Sequence, residues 1–517
     1  MRAAPQPEPL GQTLPHLLEE FLAGTRDAVV MEDGQLVFDL ATARYSVSAD
    51  HGKCLLHLWS SDRNTVRRVL AVEHKSGVLR MDVQRFGQAR PSRMEICLVR
   101  DRRSPSTRKA TRSAYQQRLH AVLEREFAGW RVERLTTAMD LEKSFGPVYA
   151  RGVLRHGTSA FAVLGVNAQE SQAAVDAAVA FGVLWLDHLR ERLAMSAHVE
   201  GLKLFVPRGG CTVAAARMAH LHQQAAKWQL FEFDERAGEI EPVDCADRGN
   251  IATRLVHAAS EESAHERFAQ SIARVRALAP QAEIAVLAAS AIAFRVHGLE
   301  FARARLAPAV SGFQLEEEIV FGAGACETVL SDETAPIFHR LVARILAARR
   351  RGGDRNHALW RMHPERWLES LVVRDVAALD STLDPAFVYS QVPAFAAHDR
   401  GMIDVLTVTR EGRLAVIELK AEEDPQLPLQ GLDYWSRVHW HNQRGEFQQF
   451  GYFPGIALSP RPPLLLLAAP ALHLHPTTDT LLRYLVPELD VTIIGLDERW
   501  RDDLRVVFRK RARAQGA

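Results

Sequence analysis

The sequence predicts an α/β protein made of tandem α/β units, each with a central mixed sheet and each preceded by a smaller β-containing segment. Three observations carry this prediction. Strand-like and helix-like runs alternate from residue 356 onward, the pattern of a sheet covered by helices. Ser159–Ala168 (SAFAVLGVNA) lies on Gly412–Ala421 (GRLAVIELKA) without a gap, which points to a repeat of that unit in the first half. Residues 30–100 alternate apolar and polar positions in LVFDLATARYSVS, CLLHLW and GVLRMDVQ, as antiparallel strands do.

At 517 residues the chain is too long for one core. Four segments are expected: a β-rich module over 1–105, an α/β unit over 106–250, a helical and β connecting module over 251–355, and a second α/β unit over 356–517. The net charge of +1 names no partner and, with a hydrophobic content of 47%, fits a soluble globular protein. The opening MRAAPQPEPLGQTLP has no apolar core of a signal peptide, and PPLLLLAAP is too short to span a bilayer. The five cysteines (Cys54, Cys97, Cys211, Cys245, Cys326) are widely spaced and form no CxxC, so reduced thiols in a cytoplasmic protein are expected.

Charge is clustered in three places. Arg100–Arg112 (RDRRSPSTRKATR) reads as a basic linker, Arg349–Arg355 (RRRGGDR) as a basic breaker, and the tail Arg509–Arg513 (RKRAR) is a third cluster; together they suggest local contact with a polyanion. Arg67, Arg68, Arg80 and Arg85 would give the first module a basic face. In the first α/β unit, Leu119–Phe127 reads as a helix, and FEFDER (231–236) resembles IGLDER (494–499) of the second. The gap-free register sets Gly165 against Glu418, Asn167 against Lys420 and Arg151 against Asp404, so this copy would have lost its polar site. Ala291–Gly322 reads as a shorter counterpart of the first β module. In the last unit, Trp367–Val373 reads as a helix, Leu464–Ala469 as a buried strand, Thr477–Leu485 as a short helix and Val491–Leu496 as a final strand.

The chemistry concentrates in GMIDVLTVTREGRLAVIELKA (401–421). Ile403–Thr409 and Arg413–Lys420 are strand-like and are separated by Arg410-Glu411-Gly412, a hairpin signal. Asp404 and Glu418 are equidistant from that turn and therefore face each other, about 5 Å apart at Cβ, where like charges repel unless a cation holds them. Period two puts Lys420 on the same side, with Ala415, Ile417 and Leu419 on the other. Two carboxylates and an ammonium at the end of a sheet suit phosphodiester hydrolysis with Mg2+ or Mn2+ held by Asp404 and Glu418. A Glu/Lys ion pair on a surface strand is the plain structural alternative. His439-Trp-His441 and His473-Leu-His475 lack companions at zinc spacing and are expected at strand ends and helix surfaces.

These residues resemble the PD-(D/E)XK nuclease superfamily, most closely its NucS-like, RecB-like and Mrr-like branches, over about Pro364–Tyr434. The resemblance implies tandem restriction-endonuclease-like α/β units, the second intact and the first degenerate. It implies a metal-dependent (endo)nuclease, endo or exo action being left open, with DNA rather than RNA as the expected substrate because the branches it resembles act on DNA. It also implies a supporting glutamate on the preceding helix, Glu369 with Glu365 in reserve, and a Gln-x-x-x-Tyr helix flanking the site, here Gln430 and Tyr434, which a spacing of four puts on one helix face. A nucleic-acid-binding or sensing protein using the fold without hydrolysis is the alternative. The repeat leaves an internal pseudo-dimer and a true oligomer both open.

Overall fold

The structure, a computed structural model, describes residues 10–22, 28–32, 35–40, 43–50, 53–59, 64–75, 78–84, 91–98, 105–140, 145–246, 253–308, 315–322, 327–396 and 399–512. The chain divides into two compact units, Met1–Ala114 and Tyr115–Ala517. In the first, α1 (Leu10–Leu22) accompanies strands β1 (Ala28–Glu32), β2 (Gln35–Asp39), β3 (Arg44–Asp50), β4 (Lys53–Trp59), β5 (Asn64–Lys75), β6 (Val78–Gln84) and β7 (Ser92–Leu98). They form one antiparallel sheet, β2-β1-β7-β6-β5-β4-β3, as the alternating pattern predicts. Leu14 and Leu18 of α1 are buried with Leu56, Leu58, Leu79 and Met81. Two arginines of the expected basic face are paired, Arg67 with Glu32 at 2.9 Å and Arg80 with Glu95 at 3.1 Å, while Arg85 lies outside the described residues.

The second unit contains two α/β sheets. The first is built from the part of α2 (Pro105–Glu126) that begins at Tyr115, β8 (Arg131–Thr136), β9 (Tyr149–His156), β10 (Ser159–Val166), α3 (Gln172–Leu193), β11 (His198–Pro207), α4 (Thr212–Met218), β12 (Lys227–Asp234) and β13 (Glu239–Val243). Between the sheets come β14 (Thr253–Leu255), α5 (Glu261–Arg267), α6 (Ala269–Arg276), the strands β15 (Glu283–Ala288), β16 (Ala291–Val296), β17 (Leu299–Pro308), β18 (Leu315–Phe321) and β19 (Thr328–Val329), and α7 (Ala335–Ala348). Strands β15 to β19 form an antiparallel sheet packed on α6 and α7 through Phe294, Phe301, Phe321 and Phe338. The last sheet follows from α8 (Ala358–Arg361), α9 (Pro364–Arg374), β20 (Leu383–Ala396), β21 (Asp399–Thr409), β22 (Leu414–Leu419), α10 (Leu427–Gln443), α11 (Glu446–Gln449), β23 (Leu464–Pro470), α12 (Thr478–Arg483), β24 (Asp490–Leu496) and β25 (Val506–Arg511).

Strands β8 to β13 and β20 to β25 run in the same order, with the same pattern of antiparallel and parallel neighbours, and β14 adds an edge strand to the second set. Parallel strands need a crossover and are buried on both faces. That is why β10 and β22 are almost wholly apolar, with α3 and α10 following them. Residues of α3, α4, α10 and α12 belong to one continuous core. The contact is reciprocal, α4 against α10 and α3 against α12. At its centre a short bridge joins Leu221 to Leu485, flanked by His222 N–H to Tyr484 O at 2.8 Å and Val486 N–H to His220 O at 3.0 Å. Arg217 reaches Asp433 across it at 2.8 Å.

Register corrects the gap-free match of the two hairpins. Leu164 lies opposite Arg151 and beside Leu204, which in turn lies beside Leu230. Glu418 lies beside Leu467, and Leu467 beside Ile493. The position corresponding to Glu418 is therefore Leu164, not Gly165, and that of Lys420 is Val166, not Asn167; Arg151 still corresponds to Asp404. The slip arises at the turn. The first hairpin closes through the two residues Gly157 and Thr158, whereas the second uses three, with Thr409 N–H donating to Arg413 O at 2.7 Å and Gly412 at φ +81. Gly165 faces α2 instead, where a Cβ would stand 2.4 Å from the Tyr115 hydroxyl. It is a glycine for close helix packing.

Parts of two of the basic clusters are engaged within the protein. Arg349 is buried, and its guanidinium donates to the carbonyls of Val296, His297, Leu359, Met362 and His363 over the Trp367 ring. It ties the β16–β17 turn to the start of α9 and is not free for phosphate. Arg349→Ala strands those carbonyls and should cost about 3 kcal/mol or more in denaturant unfolding, whereas Ala at the exposed Arg350 or Arg351 should stay within about 0.5 kcal/mol. In the tail, Arg509 donates to Leu379 O, and Lys510 and Arg511 pair with Asp479 and Asp490. Arg100–Arg103 and Arg513 lie outside the described residues, as do the side chains of 105–110.

Candidate active site

The β21–β22 hairpin places the polar group. Pairing runs from Val408–Leu414 to Val405–Ile417, so Asp404 and Glu418 stand opposite each other one step beyond it. Asp404 Oδ2 accepts the Leu419 N–H at 3.0 Å, which fixes that carboxylate at the strand end. Glu418 Oε1 lies 3.4 Å from Lys420 Nζ, while its Oε2 is buried and among the described residues accepts no hydrogen bond. Leu414 and Val416 on this face join the core beneath α10, whereas Ala415, Ile417 and Leu419 pack on the α9 side, as period two requires.

Helix α9 supplies the carboxylates expected from it, in different roles. Glu369 is 5% exposed, and its Oε2 accepts from Arg366 at 3.0 Å and from Gln391 Nε2 at 2.8 Å. Glu365 is half exposed and lies 3.8 Å from Lys420 Nζ. Gln391 was not singled out by the sequence. It sits in β20 across from Asp404 with φ +52, and its amide donates to both Glu369 and, at 3.4 Å, Asp404 Oδ1. A left-handed φ in a non-glycine residue inside a strand costs about 1–3 kcal/mol, and here it turns the amide toward the two carboxylates. Helix α10 brings Tyr434 close enough for Glu418 and Asp404 to act on its hydroxyl, after burial, in raising its pKa. Gln430 precedes it by one turn, with its side-chain oxygen buried and without a partner among the described residues.

Burial dominates the electrostatics. It pushes the Asp404 carboxyl up, and it pushes Glu418 well up with Asp404 adding to the effect. Burial opposes the charge on Lys420, but Glu418, Glu365 and Asp404 outweigh it and hold the ammonium above its usual value. Two buried carboxylates short of positive charge, one with an unused oxygen, fit a hard divalent cation that keeps waters in its remaining positions. Among the described residues no group of three His, Cys, Asp or Glu side chains is placed to hold a metal, so water or backbone would have to complete the shell.

Burial also raises Glu369 to about 7 from an ordinary 4.5. The unfolded chain then gives up this proton first as pH rises, so stability present below about 4.5 is lost up to about 7, on the order of 3 kcal/mol. In metal-free buffer, Glu369→Gln should lose less stability than wild type between pH 5 and 8. Equal loss in both proteins would remove Glu369 as the source.

The histidine pairs build no metal site. His439 stacks on Trp435, His473 lies 3.7 Å from Glu498, and His475 lies 3.9 Å from Glu423. His441 is buried rather than on a helix surface, because Glu446 at Nδ1 and the Thr253 hydroxyl at Nε2 satisfy its ring. Cys54, Cys97, Cys211 and Cys245 are free thiols, and Cys326 lies outside the described residues. No helix among the described residues is long and apolar enough to cross a membrane. Neither family models, nor curated proteins, nor solved structures offer a match to this chain.

Proposed function

We propose that the chain is a divalent-metal-dependent nuclease of the PD-(D/E)XK kind, with one live site formed by Asp404, Glu418 and Lys420 and supported by Glu369, Gln430 and Tyr434. The observation that carries this reading is the buried, opposed Asp404/Glu418 pair with an unpartnered Glu418 oxygen beside the Lys420 ammonium. Asp404 and Glu418 would hold Mg2+ or Mn2+, which supplies an acidified water and charge neutralisation at phosphorus. Lys420, held protonated, can donate to a phosphate oxygen or orient the attacking water. Gln391 and the Leu419 N–H fix the Asp404 carboxylate, so little reorganisation is left for the reaction.

DNA is the substrate class that the sequence resemblance favours. The common strand order of the two sheets supports reading residues 106–250 as a second, restriction-endonuclease-like copy, and its corresponding positions Arg151, Leu164 and Val166 contain no carboxylate. The reciprocal helix contact supports an internal pseudo-dimer within one chain. Incubating purified protein with labelled single-stranded, duplex, mismatched and branched DNA in Mn2+ tests the reading. Cleavage that EDTA stops is expected. Binding without cleavage on every substrate would favour the sensing alternative.

A further inference from the structure

A second polar feature adjoins the carboxylates. A cleft of about 200 Å³ runs between the β15–β17 strands and α9, lined by Glu283, Arg295, Arg366, Glu369, Arg374 and Ser390 among others. Its walls are fixed. Gly298, in the β16–β17 turn at φ +73, packs so closely on α9 that a Cβ there would stand 2.0 Å from Arg366 O. His297 beside it stacks on Trp367 with ring centroids 4.8 Å apart, and Arg349 binds the carbonyls of both sides.

The charges in the cleft are unequal. Arg366 is paired with Glu369 and Arg374 with Glu283, the latter at 3.5 Å. Arg295 makes neither a hydrogen bond nor an ion pair with any described residue, although Glu283 and Glu369 attract it. A β-bulge between Phe294 and Arg295 sets it off from its buried neighbours Phe294 and Val296. Three guanidinium groups against two carboxylates leave at least one positive charge in a half-enclosed cleft. A space of this size suits one sugar-phosphate unit better than a larger ligand.

We infer that this cleft is a phosphate subsite for the DNA strand that reaches the Asp404/Glu418 site, with Arg295 as its anchor. The inference rests on the nuclease reading. Glu369 lines the cleft and connects through Gln391 to Asp404, so a strand whose scissile phosphate lies at the carboxylates has a neighbouring phosphate within reach of the cleft. Arginine suits this task because its planar fork can engage two phosphate oxygens at once.

The test uses the full chain bearing Asp404→Ala, so that DNA is not cut, and fluorescence anisotropy with a labelled duplex over a range of salt concentrations. Adding Arg295→Ala should weaken binding about tenfold near 0.1 M salt and flatten the slope of log affinity against log salt by about 0.9. Arg295→Lys should restore the slope, which a merely structural role would not do, and thermal unfolding should be unchanged in both variants. Unaltered affinity and slope in Arg295→Ala, with Asp404→Ala protein still binding DNA, would overturn the subsite and leave the nuclease reading standing. Absence of DNA binding by all forms, including wild type in Ca2+, would overturn both.

Discussion

Glu418→Ala is expected to lose both metal binding and cleavage, the latter by at least about a thousandfold, whereas Lys420→Ala loses cleavage and keeps the metal. The difference follows from their positions. Glu418 offers a buried oxygen with no other partner among the described residues, and removing it leaves Asp404 alone at the strand end. Lys420, held protonated by the carboxylates around it, has no lone pair to ligate a cation, and its charge is available to phosphate or water. A thousandfold is about 4 kcal/mol of transition-state stabilisation, within what a bound cation or a fixed ammonium supplies. Titration calorimetry with Mn2+ separates the two variants. Wild-type Mn2+ affinity in Glu418→Ala, or full activity in Lys420→Ala, would contradict these roles.

Supercoiled plasmid should first become open circles, with linear product appearing only after a lag. Only one sheet carries the carboxylates; at Arg151, Leu164 and Val166 the other offers a cation and two apolar side chains. The helices α3, α4, α10 and α12 meet one another within the chain, so the two sheets are already paired inside a single molecule. One binding event can then break one strand. The expectation is checked by following plasmid forms over time beside the protein's mass in solution. Prompt linearisation by a monomer would contradict the single site.

The hairpin at 403–420 was legible because the turn residues, the strand pattern and the equal spacing of Asp404 and Glu418 from Glu411 all fix the same register. The order of elements in both halves was legible for a similar reason, since apolar strands and helices alternate along the chain. Gln391 was not. Its contribution depends on a left-handed φ that nothing in VYSQVPAFA requires, and on a cross-strand neighbour known only once β20 is paired. Arg349 reads as one of a run of exposed arginines, yet carbonyl oxygens from two separate segments bury it. The one-residue slip at Gly165 came from a change in turn length, which a gap-free comparison cannot register. Strand pattern sets faces and spacing, while turns and buried cations are set by what the tertiary structure places around them.

The central claim, that Asp404 and Glu418 make this a metal-dependent nuclease, is tested most directly by wild type and Asp404→Ala on one labelled duplex in Mn2+. Wild type should cleave it, EDTA should stop the reaction, and the variant should bind the duplex with similar affinity while cleaving less than about one-thousandth as fast. Undiminished cleavage by purified Asp404→Ala protein would contradict the claim.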